Sequence, residues 1–574
     1  MRYEQFNPAF NTKLVLEYIC NMTDAAYDNL PYWLIVPNKK PAEAAHCRVD
    51  DAELVGSWYE GLDSAKKVLQ TEEGDDVLAS LRRHLMKSWG EKGLRYHEPY
   101  FWTHTLHSSF HEMGYILPAL NRIVADNPND TEAERRSSEL VRGMRSLVIE
   151  RKVKTFWSGD SDETEPVYLF PNDVYLKDGG FDLTRHTGRG EQAIRNAIML
   201  NALVTRYEIA KDEVALDLAT GLANYVLGAS RYFNYKMEFF GHVHSAGWVA
   251  TGLVHLGRVL KENRYIEKGR AIYEYIRSLS SSFGWVPEYA QWHDPADEHC
   301  ETCCIKDMIE CAEQLILAGF DEYYDDINRF ARNQLIENQI RYTGYITVDN
   351  SLPDSNGITY HDLDKRVMGG FTGGSEPNSI SLTRFRSIAG CCVGMAPVAL
   401  NIVWNRAITD ECGKYIVNIP FDKQSDCFDM KSYIPNEGKI VLKIKSAEQA
   451  GFRIYDWLTE EYSLLVNGEK SDNVINDGKF IYAKDLKCGD ELTLIFPIET
   501  VEVKETVTDT EFTVYWRGCD VVDITPRGEH IRLYQRDNEI PKYYPLPEDV
   551  EFKGTSDRGP TQQGIMRSGK KTAK

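Results

Sequence analysis

No stretch of this chain approaches the roughly 20 consecutive apolar residues that a membrane-spanning helix requires, which excludes an integral helical membrane protein. Positive charge is also short: 66 Lys and Arg stand against 87 Asp and Glu, for a net charge of −21. A surface with that balance repels nucleic acid and anionic lipid. The N-terminus, Met1 to Pro8, lacks the charged-then-apolar pattern of a secretory leader. Cysteine is sparse for the length, 12 in 574 residues, and clustered rather than spread as a disulfide framework would be. A reducing, cytoplasmic setting is the expectation.

A chain of 574 residues exceeds a single core and should divide into domains. The segments Leu14 to Ile19, Val77 to Lys87, His107 to Val124 and Glu132 to Val153 carry apolar residues at helical spacing. Helical pairs follow from Glu191 to Gly228, from His244 to Leu279 and from Cys304 to Gln339, with a last helix from about Val393 to Asn405. Paired helices without a fixed repeat motif fit a solenoid or a closed toroid, and a mainly α (α/α)6 barrel over residues 1–408 is expected. After about residue 408 the period changes to that of strands: Lys439 to Ile444, Tyr462 to Val466 and Glu491 to Phe496 are β-type runs separated by turns such as Asn467-Gly468. A β-sandwich over 409–536 is expected, followed by an irregular segment with a basic tail, 537–574.

Two short cysteine stretches organise the chemistry. Glu301-Thr302-Cys303-Cys304 and Gly390-Cys391-Cys392 each head an apolar, helix-periodic run. A carboxylate two residues from a thiol, answered by a vicinal thiol pair, supplies a donor set suited to tetrahedral zinc. Cys300 and Cys304 flank the first stretch as alternative ligands. Buried structural thiols are the plainer reading, but adjacent cysteines cannot both face one side of a regular element. The 11 Trp and 32 Tyr would serve a sugar-binding cleft, although packing explains most of them.

The segment Cys300-Glu301-Thr302-Cys303, the pair Cys391-Cys392, and the later stretches Leu465 to Glu469, Cys488 to Leu494 and Tyr515 to Gly518 resemble glycoside hydrolase family 127, the β-L-arabinofuranosidase type. The resemblance covers roughly residues 185–535. It implies an (α/α)6 barrel with β-sandwich modules, a zinc ion held by Glu301, Cys303, Cys391 and Cys392, and a retaining mechanism with Cys391 as nucleophile. The matching acid/base residue is Glu288, in Trp285-Val286-Pro287-Glu288-Tyr289, with Glu298 and Asp294 as alternatives. The resemblance also makes His244 a sugar-contacting residue. His186, Arg189 and Trp285 are further pocket candidates, with Trp292 and His242 behind them.

The chain departs from the family in three places. Val393-Gly394-Met395 follows the cysteine pair where the family has two prolines and an asparagine. Gly188-Arg189-Gly190-Glu191 stands where the family has Gly-His-Leu, and the context of Glu288 also differs. A guanidinium in place of an imidazole favours a carboxylate-bearing ring. His107 and His111 have a metal-compatible spacing but lack an evident third ligand, so packing is expected of them. The expected partner is an oligosaccharide or glycoside, and a homo-oligomer is allowed. The competing functions are a carbohydrate-binding protein with a structural zinc and a toroid-fold sugar epimerase or lyase.

Overall fold

The computed structural model describes residues 2–103, 105–154, 163–184, 191–291, 298–380, 388–458 and 461–537. Its helices are α1 Pro8–Asn21, α2 Val55–Leu69, α3 Asp75–Leu85, α4 Phe110–Asp126, α5 Thr131–Leu147, α6 Glu191–Arg195, α7 Leu200–Ala210, α8 Glu213–Asn224, α9 Val243–Leu260, α10 Asn263–Leu279, α11 Thr302–Leu317, α12 Tyr323–Phe330, α13 Leu363–Arg366 and α14 Gly390–Arg406. Six of them form a ring: α2 packs on α4, then α7, α9, α11 and α14 follow in turn, and α14 returns to α2. Outside it, α3, α5, α8, α10 and α12 each pack on the inner helix that precedes them, while α1 lies against both α14 and α2. The (α/α)6 barrel is therefore closed, as expected.

Burial patterns explain which helices are inside. In α9 every residue from Val243 to Gly257 is buried, as suits a helix surrounded by others. Its outer partner α10 buries only a stripe, Tyr265, Gly269, Ile272, Tyr273 and Ile276. Closure between α2 and α14 depends on glycine. A Cβ on Gly61 would lie 2.4 Å from the carbonyl oxygen of Gly394, and one on Gly394 would lie 2.7 Å from backbone carbon of Ser57. The departure from the family at Val393-Gly394-Met395 thus has a packing role in this chain.

Several boundaries differ from the sequence reading. His107–Ser109 is a strand paired with Val174–Leu176, and the helix starts only at Phe110, so His107 and His111 do not share a helix. The helix from Thr131 stops at Leu147, and Ile149–Val153 pairs with Glu165–Leu169. The last inner helix begins at Gly390 instead of Val393, which places Cys391 and Cys392 in its first turn.

Beyond α14, two five-stranded sheets face each other. One runs in the order Ile408–Asp410, Tyr415–Val417, Ala450–Arg453, Phe480–Ala483, Val474–Asn476; the other runs Lys423–Gln424, Phe428–Ser432, Lys439–Ile444, Glu491–Ile495, Ser463–Val466. Val417, Phe452 and Ile481 of the first and Phe428, Leu442 and Leu494 of the second share one apolar core, which makes a sandwich. The next three strands, Thr500–Val507, Thr510–Arg517 and Asp520–Thr525, form a separate antiparallel sheet. Its Phe512, Val514 and Val521 belong to the barrel's core instead. Buried charges tie this region down: Arg332 lies 3.2 Å from Asp520, and Arg536 pairs with Asp520 at 2.5 Å and with Glu337 at 3.0 Å.

Candidate metal centre and active site

The site collects at the N-terminal ends of the inner helices. Glu301 is the N-cap of α11 in extended conformation, so its side chain projects from the helix end while Cys303 sits in the first turn. The segment before it is pinned by reciprocal hydrogen bonds between the backbones of Cys300 and Ser375, at 2.8 and 2.9 Å. Cys391 and Cys392 occupy the corresponding turn of α14. Ring closure brings these two ends together.

The Cys303 and Cys392 sulfurs are 3.4 Å apart, and Glu301 Oε1 lies 3.7 Å from Cys391 Sγ and 3.8 Å from Cys392 Sγ. All four donor atoms fall within 4.8 Å of one another. Tetrahedral zinc with Zn–S of about 2.3 Å and Zn–O of about 2.1 Å sets S···S near 3.8 Å and S···O near 3.6 Å. The S···O spacings lie close to that edge, the 3.4 Å S···S contact is shorter than its edge, and three thiols with one carboxylate suit that ion chemically. Cys300 and Cys304 stay out of the group: Cys300 Sγ lies 4.0 Å from Asn338 Nδ2, and Cys304 is buried within α11. Burial pushes the Cys303 thiol well above its usual range; burial also opposes ionisation of Cys392, but the hydrogen bonds from Cys303 and Cys391 outweigh it and lower that thiol. The cysteines are unequal in access, since Cys391 keeps 6% of its surface while Cys303 and Cys392 keep none.

Glu288 lies next to this centre. Its backbone N–H donates to His299 O and its carbonyl accepts from Val243 N–H. Its carboxylate pairs with His299 Nε2, and its oxygen lies within 4.8 Å of donor atoms of both His242 and Glu301. Glu298 is occupied differently, because its Oε1 accepts from the backbone N–H groups of Glu288, Tyr289 and His299 at 3.1, 3.3 and 3.2 Å. It ties the backbone of Glu288 and Tyr289 to that of His299. Trp285 is buried, with its indole N–H donating to Ser375 O at 3.0 Å.

His244 Nδ1 lies 2.5 Å from Asp307 Oδ2 and its Nε2 lies 3.2 Å from the Tyr115 hydroxyl. Burial opposes its charge, yet the Asp307 carboxylate raises its pKa to about 9. His242, ranked behind it in the sequence, reaches the thiol–carboxylate group: its Nε2 is 3.6 Å from Glu301 Oε2. Glu53 comes from a π-helical turn, Asp50–Leu54, that leads into α2. Burial pushes its carboxyl well up, and the charge that acts on it most is that of Cys391. Nothing in the local sequence marks Glu53, because a π turn has no simple residue signature. His186, Arg189, Trp292 and Asp294 lie outside the described residues.

A second cluster, His97, His107 and Glu112, also brings three donors together. His97 already has Asp51 at 3.0 Å on Nδ1 and Glu112 at 3.0 Å on Nε2. It is a buried ion triad in which both ring nitrogens are taken.

No family model matches the sequence, and no curated protein is similar to it. Solved structures are similar in fold. A family 127 β-L-arabinofuranosidase from Geobacillus stearothermophilus T6 aligns with TM-score 0.54 at 14% identity, over 90% of this chain and 80% of that one. A structure described as a family 127 β-arabinofuranosidase aligns with TM-score 0.56, also at 14% identity and the same coverage. The chain has the family 127 fold. A further structure, described only as a glycoside hydrolase, aligns with TM-score 0.51 at 13% identity, over 87% of this chain and 84% of that one. Among the described residues, no helix is long and apolar enough to cross a membrane.

Proposed function

We propose that this protein is a glycoside hydrolase that removes a terminal, β-L-arabinofuranoside-like sugar with retention of configuration. The observation that carries the reading is the gathering of Cys391, the most accessible of three packed thiols, with Glu301 and the nearby Glu288 at one end of the barrel. Glu301, Cys303, Cys391 and Cys392 would hold a zinc ion, whose charge keeps buried thiols ionised. The Cys391 sulfur bonds to the anomeric carbon as the glycosidic C–O bond breaks, and Glu288 gives its proton to the leaving oxygen. A water oxygen then bonds to the anomeric carbon, the C–S bond breaks, and the water's proton passes to Glu288. His299, paired with the Glu288 carboxylate, orients it. His244 is held by Asp307 on Nδ1 and by the Tyr115 hydroxyl on Nε2, so it would meet a sugar hydroxyl only by exchanging the Tyr115 bond.

Four protein ligands around zinc also describe a structural staple in a carbohydrate-binding protein. Metal analysis of the purified protein with a screen of nitrophenyl pentosides, uronides and deoxy-sugar glycosides, repeated on Cys391→Ala, separates the two. Hydrolysis by the native protein, lost in a variant that keeps its fold, supports the proposal. Undiminished hydrolysis in Cys391→Ala, or no hydrolysis of any glycoside by the zinc-loaded protein, refutes it.

A further inference from the structure

A cavity of about 290 Å³ lies within the ring of inner helices. Every inner helix lines it: Glu60 from α2, Asn121 from α4, Thr205 from α7, Trp248 from α9, Glu310 from α11 and Met395 from α14. These positions lie beyond the first turns that build the candidate active site, and the exposed Ala125 near the end of α4 stands at the rim. The cationic groups around the cavity are already engaged. Lys306 Nζ lies 2.7 Å from Glu310 Oε2, and Arg122 Nε lies 3.4 Å from Asp63 Oδ2. Asn201 is used up between Glu310 and His255, at 3.3 and 2.7 Å. Two acceptors are left over. Asn121 donates to Ala202 O at 2.8 Å, but its Oδ1 is buried without a partner. The half-buried Glu60 carboxylate has neither a hydrogen bond nor an ion pair among the described residues, although the charges of Arg122 and Lys306 act on it across the cavity.

Buried polar groups are ordinarily satisfied, and the buried Asn121 Oδ1 lacks its donor while the Glu60 carboxylate beside it has no direct bond. An occupant must therefore donate hydrogen bonds, and a positive charge would offset that of Glu60. The indole of Trp248, with Lys306 Nζ 5.5 Å from its ring centroid, adds an aromatic wall. We propose that this cavity is a binding site for a small organic ammonium ion, held by Glu60 and Asn121 and separate from the thiol centre. Burial also lifts the Glu60 carboxyl to about 7, and a bound cation would return it to the ionised form.

The test is calorimetric titration of the full-length protein at mildly alkaline pH with cyclohexylamine, and with cyclohexanol as the uncharged match of similar shape. The expected result is saturable binding of one equivalent of the amine, weakened about tenfold or more in Glu60→Gln, with no saturable binding of the alcohol. Thr205→Phe, which narrows the cavity from a half-buried position without removing a charge, should weaken the amine as well. The proposal is overturned if the alcohol binds as tightly, if both folded variants bind the amine unchanged, or if the native protein binds no amine at millimolar concentration. Hydrolytic activity does not enter the readout, so the result is independent of the glycosidase proposal.

Discussion

Gly61→Ala tests the closure of the barrel and, through it, the assembly of the thiol centre. The new Cβ would sit 2.4 Å from the carbonyl oxygen of Gly394 and 3.1 Å from its carbonyl carbon and Cα, all backbone atoms that cannot rotate aside. That is roughly 1 Å inside ordinary van der Waals separation, so α2 and α14 must move apart. Overpacking of this kind costs about 1–3 kcal/mol, against a gain of about 0.5–1 kcal/mol from replacing glycine within a helix. The net expectation is a loss of about 1–2 kcal/mol, read as a lower midpoint in chemical unfolding with an unchanged slope. Because α14 also carries Cys391 and Cys392, metal content after purification should fall with it. The sign decides the matter. If Gly61→Ala is as stable as the native protein or more so, helix propensity alone governs the position, and the close backbone contact is not real.

Glu288→Gln should retain fold and metal but lose about 10²–10⁴-fold in glycoside cleavage, measured on the best substrate from the screen. Removing the metal by chelation should abolish cleavage and lower the melting temperature, with both restored by zinc, because the centre joins two helix ends otherwise far apart in sequence. The His97 triad gives a pH dependence. Burial opposes the charge of His97, but Glu112 and Asp51 raise its pKa to about 10 from an ordinary 6.5. A raised folded-state value means the contribution is fully present below about pH 6.5 and fades as pH rises toward 10. Unfolding free energy should decline across that window, and the decline should flatten in Glu112→Gln. An equal slope in that variant would show that the triad carries no such linkage.

The sequence alone determined the parts that depend on short-range pattern. Helical spacing marked the barrel helices, the switch to strand periodicity near residue 408 marked the β-rich region, and Glu301-Thr302-Cys303 with Cys391-Cys392 marked the donor set. Each is local: a helix's apolar stripe, a turn, or a carboxylate two residues from a thiol is complete within a few positions. Tertiary structure decided what those parts face. Residue type alone left Cys300 and Cys304 as alternatives to Cys303, and only the docking of α11 against α14 turns Cys303 toward Cys392 while Cys300 stays with Asn338. His242 reaches Glu301, and Glu53 falls under the charge of Cys391, because a closed ring brings the starts of all its inner helices to one end. His107 became a strand residue through pairing with Leu176, a partner distant in the chain. Likewise Phe512 and Val514 read as one more alternating strand, yet their apolar face is buried against the barrel. Period two says that a face is apolar; only the folded chain says which core receives it.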